Sequence, residues 1–292
     1  MTDKVLVDLG VACSGAQHPK WWATNWAHLL EEMQYEKVLI NRIFAISSAL
    51  PDFNKTESVG EYASEEYKRR NQLTDANRLV VAKNFMDSPS EWLFWIDDDT
   101  IIPQRALSTL LKAQKPAIGG LYFNSNPPNN PIAYMLAEDG VGYNPLWDWP
   151  PGAIMPVDSI GFGCTLVNKS VFETIRDEHE VFMRPNGSLF PMHRSQLYSD
   201  TTPTHFANRP DEWYANGFVY TKTSKMKEND NRLWPFFALE YGRTEDHYFW
   251  EMARKCGIRP WVDTSVKCGH IKPATVDYEN YKRSKNEKEG LL

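Results

Sequence analysis

The chain has 292 residues, enough for a substantial core, and 42% apolar with 24% charged residues is the balance of a globular protein. A net charge of −6 gives no support to a strongly basic nucleic-acid surface, which leaves room only for a local basic patch, and four cysteines without a CxxC pair speak against a disulfide scaffold or a structural zinc site. No apolar run approaches the ~20 residues needed to span a bilayer, and Met1 to Leu9 lack a charged leader before an apolar core, so the sequence reads as soluble and cytoplasmic.

Lys4 to Leu9 reads as a first strand, followed by the small-residue loop Ala12 to Ala16. His18-Pro19 opens a helix in which Trp21, Trp22, Trp26, Leu29, Leu30 and Met33 recur near the helical period. Lys37 to Ile46 is a second strand, Leu50 to Asn54 a loop, and Gly60 to Met86 reads as helical throughout. Leu79, Val80, Ala82, Lys83 and Met86 form the face expected to cover the sheet. Arg78 could reach a phosphate or a nucleobase, but the ordinary expectation for an arginine on such a helix is the surface.

Trp92 to Ile96 is a run of bulky apolar residues stopped by Asp97-Asp98-Asp99. That is the pattern of a strand buried on both faces, as in a mostly parallel sheet between helices, with charge at its carboxyl end. Strand alternation would put Asp97 and Asp99 on one side, roughly 6–7 Å apart along the backbone, with Asp98 on the other. Carboxyl ends of strands are where open α/β sheets bind ligands. Left unpaired there, the two acids would repel each other and one would tend to keep its proton. A divalent cation removes that problem, and hard oxygen ligands suit Mg²⁺ or Mn²⁺ bridging to phosphates. The other reading is an exposed acidic turn without a role.

Pro103 starts a helix with Leu107, Leu110 and Leu111 on one side, and Pro116 to Phe123 is another strand. The second half differs. Asn124 to Pro131 is a turn cluster, Ile132 to Leu136 a short strand, and Gly142 to Gly152 a loop whose Tyr143, Trp147 and Trp149 suggest a cleft wall. Val157 to Asn168 reads as strand, glycine turn, strand, and Lys169 to Arg176 as a helix entered from Asn168. Segment 178–232 has no sustained period, and Lys222 to Arg232 within it has the composition of a flap.

Thr244 precedes Glu245-Asp246-His247 and a buried-type spacing of Phe249, Met252, Ala253 and Cys256, so two acids open a helix. They serve either as dipole-favoured capping charges or as a general base on a rigid helix start. Trp261 to His270 is a strand ending in Gly269-His270, and imidazole would be a reasonable third ligand beside the acids.

The apolar strand with Asp97-Asp98-Asp99, the Ser159-Ile160-Gly161-Phe162-Gly163-Cys164 turn, Glu245-Asp246 opening a helix, and Gly269-His270 occur in that order. Together they resemble the GT-A-fold glycosyltransferases, close to the family-2-like group with small soluble bacterial and bacteriophage members. The resemblance implies an α/β fold with a Rossmann-like, mainly parallel sheet flanked by helices and a loop-rich acceptor region. It divides one domain into a nucleotide-sugar half (1–123), an acceptor and catalytic half (124–272) and a charged tail (273–292). It implies a UDP- or GDP-sugar donor held by Asp97, Asp98, Arg78 and Ser14, with Mn²⁺ or Mg²⁺ on Asp99, Asp97 and His270. Asp246, assisted by Glu245, would be the base of an inverting transfer. Gly161, Phe162, Gly163 and Trp234 fall on the acceptor side.

The acceptor stays open between a glycan, a small molecule and a hydroxymethylated base in phage-type DNA, which would place the protein in a host cytoplasm. No feature points to an obligate protein partner. A nucleotidyltransferase would show a Gly-rich basic first loop, which Ala12 to Ala16 is not. A haloacid-dehalogenase-type phosphatase would carry its acids on the first strand with Thr where Ile101 stands. A non-catalytic nucleotide-sugar-binding module remains the alternative from another class.

Overall fold

The structure is a computed structural model describing residues 4–12, 19–46, 65–124, 128–138, 140, 142–183, 189–193, 212–215, 218–222, 235–238, 244–272, 274–276 and 278–288. β1 (Val5–Ala12), α1 (Pro19–Tyr35), β2 (Val38–Ile46), α2 (Glu65–Met86) and β3 (Trp92–Ile96) alternate as the sequence predicts. β4 (Thr100–Ile101), α3 (Ala106–Lys112), β5 (Ala117–Leu121), β6 (Ala133–Leu136), β7 (Tyr143–Pro145), β8 (Ile154–Pro156), β9 (Ser159–Ile160) and β10 (Cys164–Asn168) follow. Then come α4 (Lys169–Glu178), β11 (His179–Met183), β12 (Leu189–His193), β13 (Glu212–Ala215) and β14 (Phe218–Lys222). The chain ends with α5 (Glu245–Lys255), β15 (Trp261–Lys267), β16 (Gly269–Lys272), β17 (Ala274–Val276) and α6 (Tyr278–Lys288).

The central sheet has seven strands in the order β2-β1-β3-β10-β5-β15-β8. β1 runs parallel to β2 and β3, and β5 parallel to β15, while β10 lies antiparallel between β3 and β5. β8 closes the far edge antiparallel to β15. This is a Rossmann-like mixed α/β sheet flanked by helices.

β3 shows why the apolar run is necessary. Its alternation sends Leu93 and Trp95 to one face and Phe94 and Ile96 to the other, all four without solvent exposure. The first face is covered by Val81, Ala82 and Phe85 of α2, Phe172 of α4 and Phe249 and Trp250 of α5. The second is covered by Trp21 and Leu29 of α1 and Leu107 and Leu110 of α3. Each such side chain contributes roughly 1.5–3 kcal/mol by leaving water.

α1 does more than supply apolar cover. Trp21, Asn25, His28 and Glu32 recur at helical spacing and lace the segment that follows β3. Trp21 Nε1 donates to Asp97 O (2.6 Å), and Asn25 Nδ2 donates to Thr100 O (2.7 Å) while its Oδ1 accepts from Ile102 N (3.0 Å). His28 Nδ1 lies 2.9 Å from Ile102 O. The Glu32 carboxylate accepts from the N–H groups of Leu107 and Ser108, satisfying two open donors at the start of α3.

Four expectations are corrected. Within 178–232, β11 to β14 form a four-stranded antiparallel sheet in the order β12-β11-β14-β13, where the sequence shows no sustained period. Of the expected flap, residues 223–232 lie outside the described residues. The loop of Trp147 and Trp149 docks α6: Tyr281 is buried, stacked on Phe123 (4.5 Å between ring centroids) and Trp149 (5.1 Å), with its hydroxyl donating to Trp147 O. The charged tail therefore contains a packed helix. The buried stripe of α2 runs through Arg78, Val81, Ala82 and Phe85, rotated from the expected face; residues 47–64 lie outside the described ones.

Candidate active site

A cleft of about 290 Å³ opens where β1, β3, β5 and the β15–β16 segment end, the carboxyl edge of the sheet. Ala12 follows from β1, Asp97, Asp98 and Asp99 from β3, Tyr122 and Asn124 from β5, and His270 from β16. The start of α5 brings Thr244, Glu245, Asp246 and His247, and α2 brings Thr74 and Arg78.

The acids do not continue the strand. Asp97 N still reaches Gly163 O (3.2 Å), but Thr100 N bonds back to Asp97 O (3.0 Å), so the triplet is a tight turn. The turn, not strand alternation, divides the carboxylates. Asp97 accepts from Arg78 Nη2 at 3.1 and 3.3 Å, whereas Asp99 Oδ2 lies 3.1 Å from His270 Nε2. Asp98 is buried in the cleft wall. β4 explains the histidine: it pairs with β16 so that His270 stands opposite Thr100, and Ile271 N bonds to Asp99 O (2.7 Å).

Arg78 is the organising cation, only 2% exposed, and this corrects its expected surface position. Besides Asp97 it holds Glu245 Oε1 through Nε (3.3 Å) and lies 3.7 Å from Asp246 Oδ1. Its guanidinium carbon sits 5.1 Å from the Phe162 ring centroid and 5.7 Å from that of Trp95, within cation–π range. Three carboxyl groups around one cation would carry a net charge of −2 if all were ionised in a desolvated place. One proton is the cheaper solution. Burial first, then the neighbouring Glu245 charge, pushes the Asp246 carboxyl well above the usual range; Glu245 is also raised, chiefly by burial. Burial and the neighbouring charge thus outweigh the N-terminus of α5, which the sequence expectation had favouring the ionised form of Asp246. Burial and the charges of Asp97 and Asp246 likewise push the Tyr122 phenol up.

Asp97, Asp99 and His270 do not gather as a three-ligand set, and no group of three or more His, Cys, Asp or Glu side chains does so among the described residues. Asp99 and His270 nevertheless make a matched pair. His270 Nδ1 donates to Phe123 O (2.8 Å), which turns Nε2 towards a carboxylate oxygen of Asp99. Two acceptors that close require a proton or a cation between them. A carboxylate oxygen and an imidazole nitrogen are donors that a divalent ion such as Mn²⁺ or Mg²⁺ accepts, so Asp99 and His270 are the residues that would hold one here.

The glycine turn sits beneath the cleft and does not line it. Gly161, Phe162 and Gly163 are buried, and Phe162 stacks on Trp250 at 5.3 Å. A Cβ on Gly161 would lie 1.8 Å from Tyr122 Oη, and one on Gly163 would lie 2.8 Å from the same ring. The glycines make room for Tyr122, whose hydroxyl accepts from Gly163 N (3.0 Å). Their expected acceptor contact is thus replaced by support of the floor. Ser14 and Trp234 lie outside the described residues.

Of an aromatic corner beside the acids, sequence reasoning pointed to Tyr143 and missed Tyr134 and His247. His247 is held by Ser159 Oγ (2.7 Å), stacked on Tyr143 (4.1 Å, 8° between planes) and met edge-on by Tyr134 (4.9 Å). Adjacency of His247 to the acid pair was the available signal.

Fold and site together define a Rossmann-like α/β protein with an acidic cleft at the carboxyl edge of its sheet. No family model and no curated protein matches the chain. Among solved structures, the crystal structure of A197 from STIV aligns over 92% of this chain and 86% of that one, at 11% identity and a TM-score of 0.43, a likeness too low to carry an argument. Among the described residues no helix is long and apolar enough to cross a membrane.

Proposed function

We propose that the protein is a glycosyltransferase of the GT-A type that moves a sugar from a nucleotide-sugar donor to an acceptor hydroxyl, with inversion and with the help of a divalent metal. The observation that supports this most is the convergence, in one cleft, of the Asp97–Asp99 turn, His270 and the Glu245–Asp246 helix start. Asp99 and His270 would hold Mn²⁺ or Mg²⁺, which when bound supplies Lewis-acid neutralisation of a diphosphate leaving group. Asp97, its carboxylate aligned by Arg78, and Asp98 face the donor. Arg78 positions and does not reach out, because it is buried and already faces three carboxyl groups.

Of the two adjacent acids, Asp246 is the more open, 18% exposed in its side chain against 7% for Glu245, and Glu245 is fixed on Arg78. Asp246 in its ionised form accepts the acceptor hydroxyl's proton as that oxygen attacks the anomeric carbon. The bond to the nucleotide diphosphate breaks on the opposite side, so the configuration inverts. Its raised affinity for protons makes it a strong base once ionised.

The test is calorimetric binding of UDP- and GDP-sugars with and without Mn²⁺, together with release of the nucleotide diphosphate. Asp99→Ala should abolish the metal-dependent part and His270→Ala weaken it less. Equal donor binding by wild type in EDTA and in Mn²⁺ overturns the metal assignment, and absence of any nucleotide-sugar binding overturns the function.

A further inference from the structure

We propose that the acceptor in this cleft is an uncharged sugar whose ring seats on the wall made by Tyr134 and His247, beside Asp246. This rests on the glycosyltransferase reading above and names its acceptor class.

The wall is built before any ligand arrives. Tyr143 backs His247 with nearly coplanar rings, and Arg254 Nη2 donates to the Tyr143 hydroxyl (2.7 Å). Ser159 fixes the edge of the imidazole, and Tyr134 meets it at 75°. Side chains held by their neighbours in this way lose little freedom on binding. Tyr134 and His247 both line the cleft, next to Asp246. A pyranose has an apolar C–H face and a rim of hydroxyls. The aromatic wall suits the face, and Asp246 with Asn124 suits the rim.

The charge of the described cleft lining favours an uncharged acceptor over a nucleic acid. Five carboxyl groups line the cleft, and Arg78 is the one Lys or Arg among the described lining residues, already shared by three of them. Nucleic acid binding draws its affinity from many Lys and Arg neutralising successive phosphates, and the described lining supplies none beyond Arg78. The donor's single diphosphate would instead be neutralised by the metal. A nucleic-acid acceptor would need a basic groove, for which the sequence offers Lys222, Lys225, Lys227 and Arg232. The last three lie outside the described residues, and of Lys222 only the backbone is described.

The experiment is saturation-transfer NMR of the full chain with Mn²⁺. The probes are methyl glycosides of glucose, galactose, mannose and N-acetylglucosamine, and a single-stranded oligonucleotide carrying 5-hydroxymethylcytosine. At least one glycoside should bind, with the strongest transfer to its ring C–H protons. Tyr134→Ala should raise its half-saturating concentration roughly 3- to 10-fold, while Tyr134→Phe, which keeps the ring, should stay within about twofold. Binding of the oligonucleotide in preference to every glycoside, no glycoside binding at all, or an unchanged Tyr134→Ala titration overturns the proposal. Donor binding without acceptor, measured on the same wild-type sample, reports separately on the glycosyltransferase reading.

Discussion

Replacing Arg78 by methionine tests whether the site is assembled around one buried cation. The substitution keeps much of the side-chain volume against Trp95 and Phe162 but removes the positive charge that faces Asp97, Glu245 and Asp246. Removing one partner of a buried ion pair costs about 3–5 kcal/mol, because the remaining charge is stranded. Here the carboxyls can escape by holding protons, so the cost must depend on pH. Below the unfolded carboxyl pKa values of ~4 the groups are neutral in both states, and only the lost cation–π and packing contacts count, about 1 kcal/mol. As pH rises the unfolded chain releases its protons while the folded variant retains them, so its stability falls relative to wild type. Urea denaturation at pH 4.5 and 7.5 reads this directly. At a slope of about 3 kcal/mol per molar, the neutral-pH midpoint should drop by roughly 1–2 M, and the acid midpoint by a fraction of that. A loss of equal size at both pH values, or one below about 1 kcal/mol at neutral pH, refutes the idea that Arg78 balances the three carboxylates.

Asp246→Asn should lower turnover ~10²–10⁴-fold with donor affinity nearly unchanged, as expected for loss of a base. The same variant should be more stable than wild type near neutral pH. A carboxyl whose folded pKa is raised gives its full stability below the unfolded value and loses it as pH rises toward the folded one. Thermal midpoints across pH 4 to 8 should therefore diverge in favour of the variant at the upper end; parallel curves would count against the raised pKa. Gly161→Ala puts a methyl group against Tyr122 Oη and, at 2.7 Å, Ile132 Cγ2, so it should cost at least 1–3 kcal/mol. Adding Tyr122→Phe should recover part of that loss, and strict additivity of the two in a denaturation cycle would show that the hydroxyl is not what the glycine accommodates.

The fold was legible where one physical requirement dominated the local sequence. Trp92 to Ile96 could satisfy so many large apolar side chains in one way, by burial on both faces, and the structure buries Leu93, Phe94, Trp95 and Ile96 completely. α1 was half legible: its tryptophans advertised an apolar helix and hid the polar file Trp21, Asn25, His28 and Glu32 that holds the acid turn. Hydrogen bonding to backbone atoms more than seventy positions away leaves no mark on periodicity. The triplet's geometry was misjudged because strand alternation was carried three residues past the end of the strand, through a turn in which Thr100 N bonds back to Asp97 O. Arg78 is the instructive case. It lies three, four and seven residues before Val81, Ala82 and Phe85, on the one stripe of α2 that must face the core. An arginine there cannot shed its charge, so folding is possible only if carboxylates are delivered to it from elsewhere in the chain. The acids at 97, 245 and 246 meet that demand, and they come from a strand end and a helix start that are distant in sequence. A buried arginine thus links the two halves of the candidate site through the fold's own electrostatic requirement, and the cleft's acidity is bound to the packing of α2 on the sheet.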